Sequence, residues 1–390
     1  MPPVAPVGEA GQADRAAGGE GGLRVAYVCD VELRRGTGGG VVALNVAQAL
    51  AEAGILDLLV CKGVGELQRL PRRVLEMRPE DFGILSHHPY VWDYLVALMT
   101  SGDEKPEVAH LFGGTYWLTS NFFPRLVAEV PAHDLAESMR EWKEMLGKYP
   151  FRHMVDRGLF ELYCAHVKSA DAVITPSLYS ARQLTKQLGI PSERFHVIPH
   201  GCYPPDKVLD PPATSMTFLS VGALGPDKGH IYLLKAWKLL GEPWDARLLL
   251  VGEGPMLQNE GFRRLLEELR NLDWVPRVPE VEPLYGECHA YVQPSVTEGF
   301  GIPALEAASF GRPVIVSETA GVSELFEHEV HGFVVPPRDP EKLAEAMRYL
   351  LEDPKACRQM GRRAAERARE YSWDRVRRLY REFYGQFGRR

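Results

Sequence analysis

Residues 295–317, SVTEGFGIPALEAASFGRPVIVS, hold the densest run of chemically capable groups in this 390-residue chain. Glu298 follows the apolar run AYVQP, a turn passes through Gly299 and Gly301, and Pro303 falls in the first turn of a helix, where its missing N–H does no harm. That spacing aims the amides of Phe300, Gly301 and Ile302 beyond the helix start, where a ligand's anionic oxygens or sugar hydroxyls can be held. Glu306 lies one or two turns deeper in IPALEAA, among small and apolar side chains. An unpartnered charge is costly there, so Glu306 is expected to have a partner. A second glycine cluster, Gly38, Gly39 and Gly40, sits in TGGGVV between an apolar strand and a helix expected to start at Val41. It is a poor hairpin signal and a good strand-to-helix anion site. Metal chemistry is badly provided for, since neither DxD nor HExxH occurs, and His328 and His331 in LFEHEVHGF read as a polar helix end. LLLVGEGPM carries one G-x-G without the third glycine of a dinucleotide fingerprint, which makes hydride transfer the inferior reading.

The elements that must position these groups alternate between strand and helix. LRVAYVC, ILDLLVC, RRVLEM, EVAHLF, DAVITPS and RFHVIP read as strands; VVALNVAQALAEAG, DYLVALMT and SARQLTKQLG read as helices. Residues 121–130 are expected to form a helix, and a long charged helical region is expected over 135–170. GCYPPDKVLDPPATS has four prolines and no periodicity, which marks the linker. A second alternation follows at βα spacing: MTFLSVG, HIYLLKAWKLL, ARLLLVG, MLQNEGFRRLLEELR, a short element near Trp274, VEPLYGEC, AYVQPS, IPALEAASF, PVIVS and GFVVP. The expectation is an α/β chain of two Rossmann-like domains facing across a cleft: a flexible tail over 1–22, domains over 23–199 and 200–371, and a terminal helix over 372–390 crossing back to the first domain. Ligands of such sheets bind outside the carboxyl ends of the strands. The terminal helix carries Trp373, Val376, Leu379, Tyr380, Phe383 and Tyr384 at helical spacing, a stripe that must be buried.

With GTGGG, VGALGPDKG, LLLVGEGP, EGFGIPALE, GRPVIVS, AGVSELF and HGFVVPPRD in this order, the chain resembles the retaining glycosyltransferases of the two-domain GT-B type, family 4-like and group 1, over about nine tenths of its length. The resemblance implies transfer of a sugar from a nucleoside diphosphate-sugar to a hydroxyl acceptor, with no cofactor and no metal. It implies that Lys228 neutralises the leaving diphosphate, Glu298 touches the donor-sugar hydroxyls, Glu306 takes the ribose, and Gly38, Gly39 and Gly40 lie near the phosphate. His110 matches a family histidine and is expected to be catalytic with Lys228 and Glu298; a hydrogen-bonded core histidine is the competing reading. The sequence departs from the family twice. Ala223 stands where an arginine usually partners the lysine, so either one cation and backbone donors hold the diphosphate or an arginine elsewhere substitutes, Arg277 being a candidate; Phe112 occupies the place of a second histidine. Losing a guanidinium removes paired donors as well as charge. Glu324 is a helix- or sugar-positioning candidate. His133 resembles another family histidine, and His87 or His88 with Tyr90 and Trp92, or Tyr116 with Trp117, are candidates for an acceptor surface. The alternative of another class is a sugar-nucleotide-binding protein without turnover.

Composition sets the limits. At 45% hydrophobic and 25% charged residues the chain is globular, and 390 residues suit two domains. Six scattered cysteines with no CxxC suggest neither a disulfide frame nor a thiolate metal site. The first residues lack a basic start and an apolar run of signal-peptide length, so the expected location is cytoplasmic, with peripheral contact at the inner membrane face left open. The formal charge of -7 is uneven: residues 354–390 hold twelve Lys or Arg against four Asp or Glu. With no aromatic residues interleaved as a base-stacking surface, this reads as a solvated basic face, and no nucleic-acid partner is expected. The acceptor and the oligomeric state stay undetermined at this level.

Overall fold

Thirteen strands of the computed structural model, which describes residues 23–29, 31–35, 38–76, 105–112, 123–132, 134–147, 164–165, 167–208 and 210–389, fall into two sheets. The first holds β1 (Val25–Cys29), β2 (Leu56–Cys61), β3 (Arg73–Glu76), β4 (Val108–Phe112), β5 (Arg125–Glu129), β6 (Ala172–Thr175) and β7 (Phe195–Val197), in the order β3-β2-β1-β4-β5-β6-β7. The second holds β8 (Met216–Val221), β9 (Ala246–Val251), β10 (Leu272–Val275), β11 (Ala290–Gln293), β12 (Val314–Ser317) and β13 (Gly332–Val335), in the order β10-β9-β8-β11-β12-β13. Each described pairing of named strands is parallel, for example Val25↔Val108 and Tyr291↔Leu219. Both orders reverse direction in mid-sheet, at β1/β4 and at β8/β11, and such switch points open a crevice beyond the carboxyl ends of the strands. The chain therefore has the two Rossmann-like sheets of the GT-B fold.

The helices follow from punctuation and apolar faces. They are α1 (Gly38–Glu52), α2 (Leu135–Leu146), α3 (Leu178–Leu188), α4 (His230–Leu240), α5 (Glu260–Glu268), α6 (Glu282–Glu287), α7 (Ile302–Ser309), α8 (Pro340–Glu352), α9 (Pro354–Arg369) and α10 (Trp373–Phe387). Asp134 caps α2 by accepting from the Glu137 amide, Ser177 does the same for α3 from Ser180, and Gly147 and Gly189 close these helices in the left-handed conformation. Two expectations fail here. Residues 125–129 form strand β5 instead of a helix, because the apolar run RLVAEV feeds the sheet, where the Val130 amide bonds Ile174 O at 2.9 Å. The region from 135 also breaks early, since Gly147 ends α2. The DYLVALMT segment lies outside the described residues.

By packing, the chain divides into two compact units: Met1–Ala128 with Tyr380–Arg390, and Glu129–Leu379. In the first, β1 and β4 are completely buried apart from a trace at Leu111 and Phe112, and the end of α10 completes the core. Tyr384 meets His110 at 2.8 Å, Arg125 Nη2 donates to Phe387 O at 2.6 Å while its guanidinium covers the Phe387 ring, and Arg381 pairs with Glu52. In the second, Phe218, Leu248, Leu250, Val292 and Ile315 from the sheet pack with Trp237 of α4, Phe262 of α5 and Met347 of α8. Burying each such side chain is worth about 1.5–3 kcal/mol. Here the chain segments either side of the second sheet are stitched together, with the Cys202 amide on Tyr371 O and the Trp373 amide on Cys202 O, both at 3.0 Å. No helix among the described residues is long and apolar enough to cross a membrane.

Candidate functional site

The two strands at the switch point of the second sheet each deliver one charged side chain. After β8 the chain enters a short 3-10 turn, Pro226–Lys228, and after β11 it runs through Pro294 to Glu298. The loops are laced by the Val296 amide donating to Asp227 O at 2.8 Å. Gly229, at φ 69, makes the approach possible: a Cβ there would lie 2.0 Å from Pro294 O, so only glycine fits. Out of this lacing Lys228 Nζ donates to Glu298 Oε2. The side chains keep 29% and 21% of their surface exposed, so the pair is sheltered yet open to a ligand. Burial works against the Lys228 ammonium, but the Glu298 and Asp227 carboxylates and the hydrogen bond outweigh it and raise its pKa above the ordinary lysine value.

Glu298 is fixed by its backbone, its amide on Thr319 O at 3.1 Å and its carbonyl accepting from Gly321 at 3.0 Å. Phe300 O accepts from Val322 at 2.8 Å, and its buried ring meets that of His200 at 5.0 Å. The amides of Phe300, Gly301 and Ile302 have no protein acceptor among the described residues and begin α7, whose N-cap Gly301 offers no side chain. At φ 110, and with a hypothetical Cβ 2.2 Å from Gln293 Nε2, Gly301 is a position other residues could occupy only under strain. One turn inward, Tyr285 Oη donates to Glu306 Oε2 at 2.9 Å. Burial pushes the Glu306 carboxyl up to about 7, with the Tyr285 bond opposing and Glu282 adding to the rise. Glu306 thus has the partner its apolar surroundings demand.

His200, 6% exposed between the rings of Phe300 and Trp373, has no hydrogen-bond partner at either ring nitrogen among the described residues, and burial pushes its pKa down to about 4 against the opposing pull of Glu129 and Glu298. Glu324 acts on structure: its carboxylate accepts from the amides of Leu178 and Tyr179 at 2.9 and 2.6 Å and pairs with Arg182, capping α3 from 145 residues away. Ala223 is exposed at the end of β8, and Arg277, exposed beyond β10, makes no hydrogen bond or ion pair among the described residues.

In the first unit the glycines occupy the first turn of α1, which begins at Gly38, three residues before Val41. None of Gly38, Gly39 or Gly40 has left-handed backbone, and a Cβ at Gly39 would make only ordinary contacts, so these glycines do not mark a strained turn. His110 calls for a correction. It is completely buried, its Nδ1 meets Tyr384 Oη, and Tyr27 and Tyr380 flank the ring, so it is a core residue of this unit and not a group presented to substrate. His87, His88, Tyr90, Trp92, Tyr116, Trp117 and His133 lie outside the described residues. Asp227 and Thr297 lie within motif segments and Tyr285 does not, but the partners of all three become visible only in three dimensions. No group of three or more His, Cys, Asp or Glu among the described residues is placed to hold a metal ion.

Paired Rossmann-like sheets with a lysine, a carboxylate and an unsatisfied helix start at one switch point define a protein of GT-B architecture. Residues 36–204 match Glycosyltransferase Family 4 and residues 206–367 match Glycosyl transferases group 1, so the chain is a member of the GT-B glycosyltransferases related to both. It is 30% identical over 163 residues to an uncharacterized glycosyltransferase of Haemophilus influenzae, a match covering 41% of this chain and 46% of that protein. The chain spans about half the length of the curated relatives it matches. Sucrose-phosphate synthase from Thermosynechococcus elongatus superposes with a TM-score of 0.71 at 21% identity, covering 94% of this chain and 99% of that one. Anabaena HepE in complex with UDP and glucose superposes at 0.68 and 18%, covering 94% and 100%. At these identities the superpositions show the fold.

Proposed function

We propose that the chain transfers a sugar, with retained anomeric configuration, from a nucleoside diphosphate-sugar to a hydroxyl acceptor. The observation that carries this is the Lys228–Glu298 pair at the β8/β11 switch point, beside the free amides of Phe300 and Gly301. The Lys228 ammonium and the α7 amides neutralise charge on the departing diphosphate, the Glu298 carboxylate accepts hydroxyl hydrogen bonds from the sugar, and Glu306 with Tyr285 takes the ribose. No carboxylate is assigned as a nucleophile at the anomeric carbon, which is why retention is assigned to a front-face route: the departing phosphate takes the acceptor proton as charge builds beside Lys228. This chemistry asks for no metal. HepE was solved with UDP and glucose, which makes uridine donors the first to try. The acceptor is assigned to a saccharide, a lipid-linked saccharide or a small-molecule glycoside, with the protein in the cytoplasm or at the inner face of the membrane.

The experiment is a panel of nucleotide sugars screened by thermal shift, since a ligand that binds only the folded state raises its melting temperature. Hits are followed by transfer assays on an acceptor panel, with NMR of the anomeric proton in the product. An inverted product rejects the front-face route. Stabilisation without transfer or hydrolysis supports the second reading, a non-catalytic sugar-nucleotide-binding protein, which Ala223 in the arginine position favours. No stabilisation by any nucleoside diphosphate rejects both.

A further inference from the structure

Three residues that flank the Lys228–Glu298 pair in sequence are held by groups from one stretch earlier in the chain. Asp227, immediately before Lys228, receives the Trp142 indole N–H on Oδ1 at 3.0 Å. Thr297, immediately before Glu298 and 1% exposed, has its hydroxyl held twice: it accepts from the Asp134 amide at 2.8 Å and bonds Tyr179 Oη at 2.8 Å. Gly299, immediately after Glu298, has its carbonyl held by Ser177 Oγ at 2.8 Å and Ser180 Oγ at 3.0 Å. A Cβ on Gly299 would fall 2.7 Å from Pro131 O, so the contact is close along the whole turn. The grip is itself anchored. Lys186 pairs with Asp134, and Arg338 pairs with Glu137 and Glu141 of α2.

The functional side chains are held differently. Lysine carries much rotamer freedom, and in this structure its ammonium is paired with Glu298, so where Nζ lies depends on where the Lys228 and Glu298 backbones are placed. Holding the residue before each of the two, and the residue after one, fixes that placement without touching either charge. We propose that Trp142 and Tyr179 are positioning residues for the Lys228–Glu298 pair, acting through Asp227 and Thr297. The inference rests on the reading of that pair as the diphosphate and sugar site. It assigns a duty in the donor site to a segment that precedes the linker and carries none of the motifs of the second sheet.

Trp142→Phe and Tyr179→Phe each keep an aromatic ring and delete one polar atom, and the double variant deletes both. Two measurements decide. The first needs no activity: the rate at which a neutral acylating reagent modifies Lys228, read by mass spectrometry against exposed Lys235 in the same protein. Loosening the pair exposes and deprotonates the amine more readily, so the double variant is expected to react at least about threefold faster at Lys228 than wild type, the factor for a lost bond of ordinary strength. The second is turnover of the nucleoside diphosphate-sugar. Each single variant is expected to lower kcat about three- to tenfold with affinity for the bare nucleoside unchanged, because Glu306 and Tyr285 are untouched. An unchanged Lys228 acylation ratio in the folded double variant overturns the positioning role. So does a fall in nucleoside affinity that keeps pace with kcat, which marks a general loss of structure. If wild type neither binds nor turns over a donor while the acylation ratio rises as expected, the positioning of the pair stands and the glycosyltransferase reading is what fails.

Discussion

Replacing Glu298 with glutamine is expected to move two measurements in opposite directions. In the ligand-free protein Glu298 holds the Lys228 ammonium, so an incoming diphosphate must draw the lysine away from a carboxylate that also repels it. Glutamine keeps the shape and the hydrogen-bonding capacity and removes the charge. The pair is partly exposed, at 29% and 21%, so its release is worth only about 1 kcal/mol, with a like amount from the lost repulsion. Together these should tighten binding of the bare nucleoside diphosphate roughly 5- to 30-fold. Transfer should suffer, because a charged acceptor for the sugar hydroxyls is worth about 1.5–3 kcal/mol, or roughly 10- to 100-fold in kcat. Calorimetry with the diphosphate, with and without its sugar, and steady-state kinetics on the same preparations check both halves. Unchanged or weaker diphosphate binding in a folded Glu298→Gln protein would show that Lys228 does not have to leave Glu298 for the phosphate.

Because the Glu306 carboxyl sits at about 7, affinity for a nucleoside without phosphates should rise as pH passes through 7 and the carboxylate forms; Glu306→Gln should remove that inflection in a calorimetric pH series. Ala223→Arg should restore a second cation at the end of β8 and tighten nucleoside diphosphate binding about three- to tenfold, and a cycle with Lys228→Ala shows whether both side chains act on the same group. His200 is held neutral with a pKa lowered to about 4, so the unfolded chain binds its proton more readily; the stability this contributes is present above about pH 6.5 and is lost as pH falls toward 4. The loss amounts to roughly 3 kcal/mol, and His200→Phe should flatten that share of an acid-denaturation curve.

The second sheet was readable because its strands are short apolar runs bounded by glycine and proline, as expected of parallel strands buried on both faces. The same punctuation located Glu298, Gly301 and Glu306, whose relation is local and helical. Lys228 and Glu298 stand 70 residues apart, and their direct pairing depends on β8 lying beside β11, which no spacing reveals. The strand at 125–129 was mistaken for a helix because RLVAE is short and both periods fit it; only the neighbouring strand decides. His110 illustrates the opposite error. A motif position suggested chemistry, whereas burial among three tyrosines decided for packing. Trp142 and Tyr179 were beyond reach for another reason: their partners lie 85 and 118 residues away, and neither shares a helical or strand period with its partner.

The end of α10 completes a core whose other members emerge from the ribosome far earlier. Tyr384 and His110 are 274 residues apart, and Phe387 and Arg125 are 262 apart. At about 5–20 residues per second, the His110 side of that core waits roughly 15–50 s for its last aromatic neighbours during synthesis. Through that interval the nascent chain carries an unfinished apolar surface around Tyr27 and His110, open to chaperones and to other copies of itself. Synthesis that halts before codon 380 therefore leaves a product with a first unit that cannot close, however well its second sheet has folded.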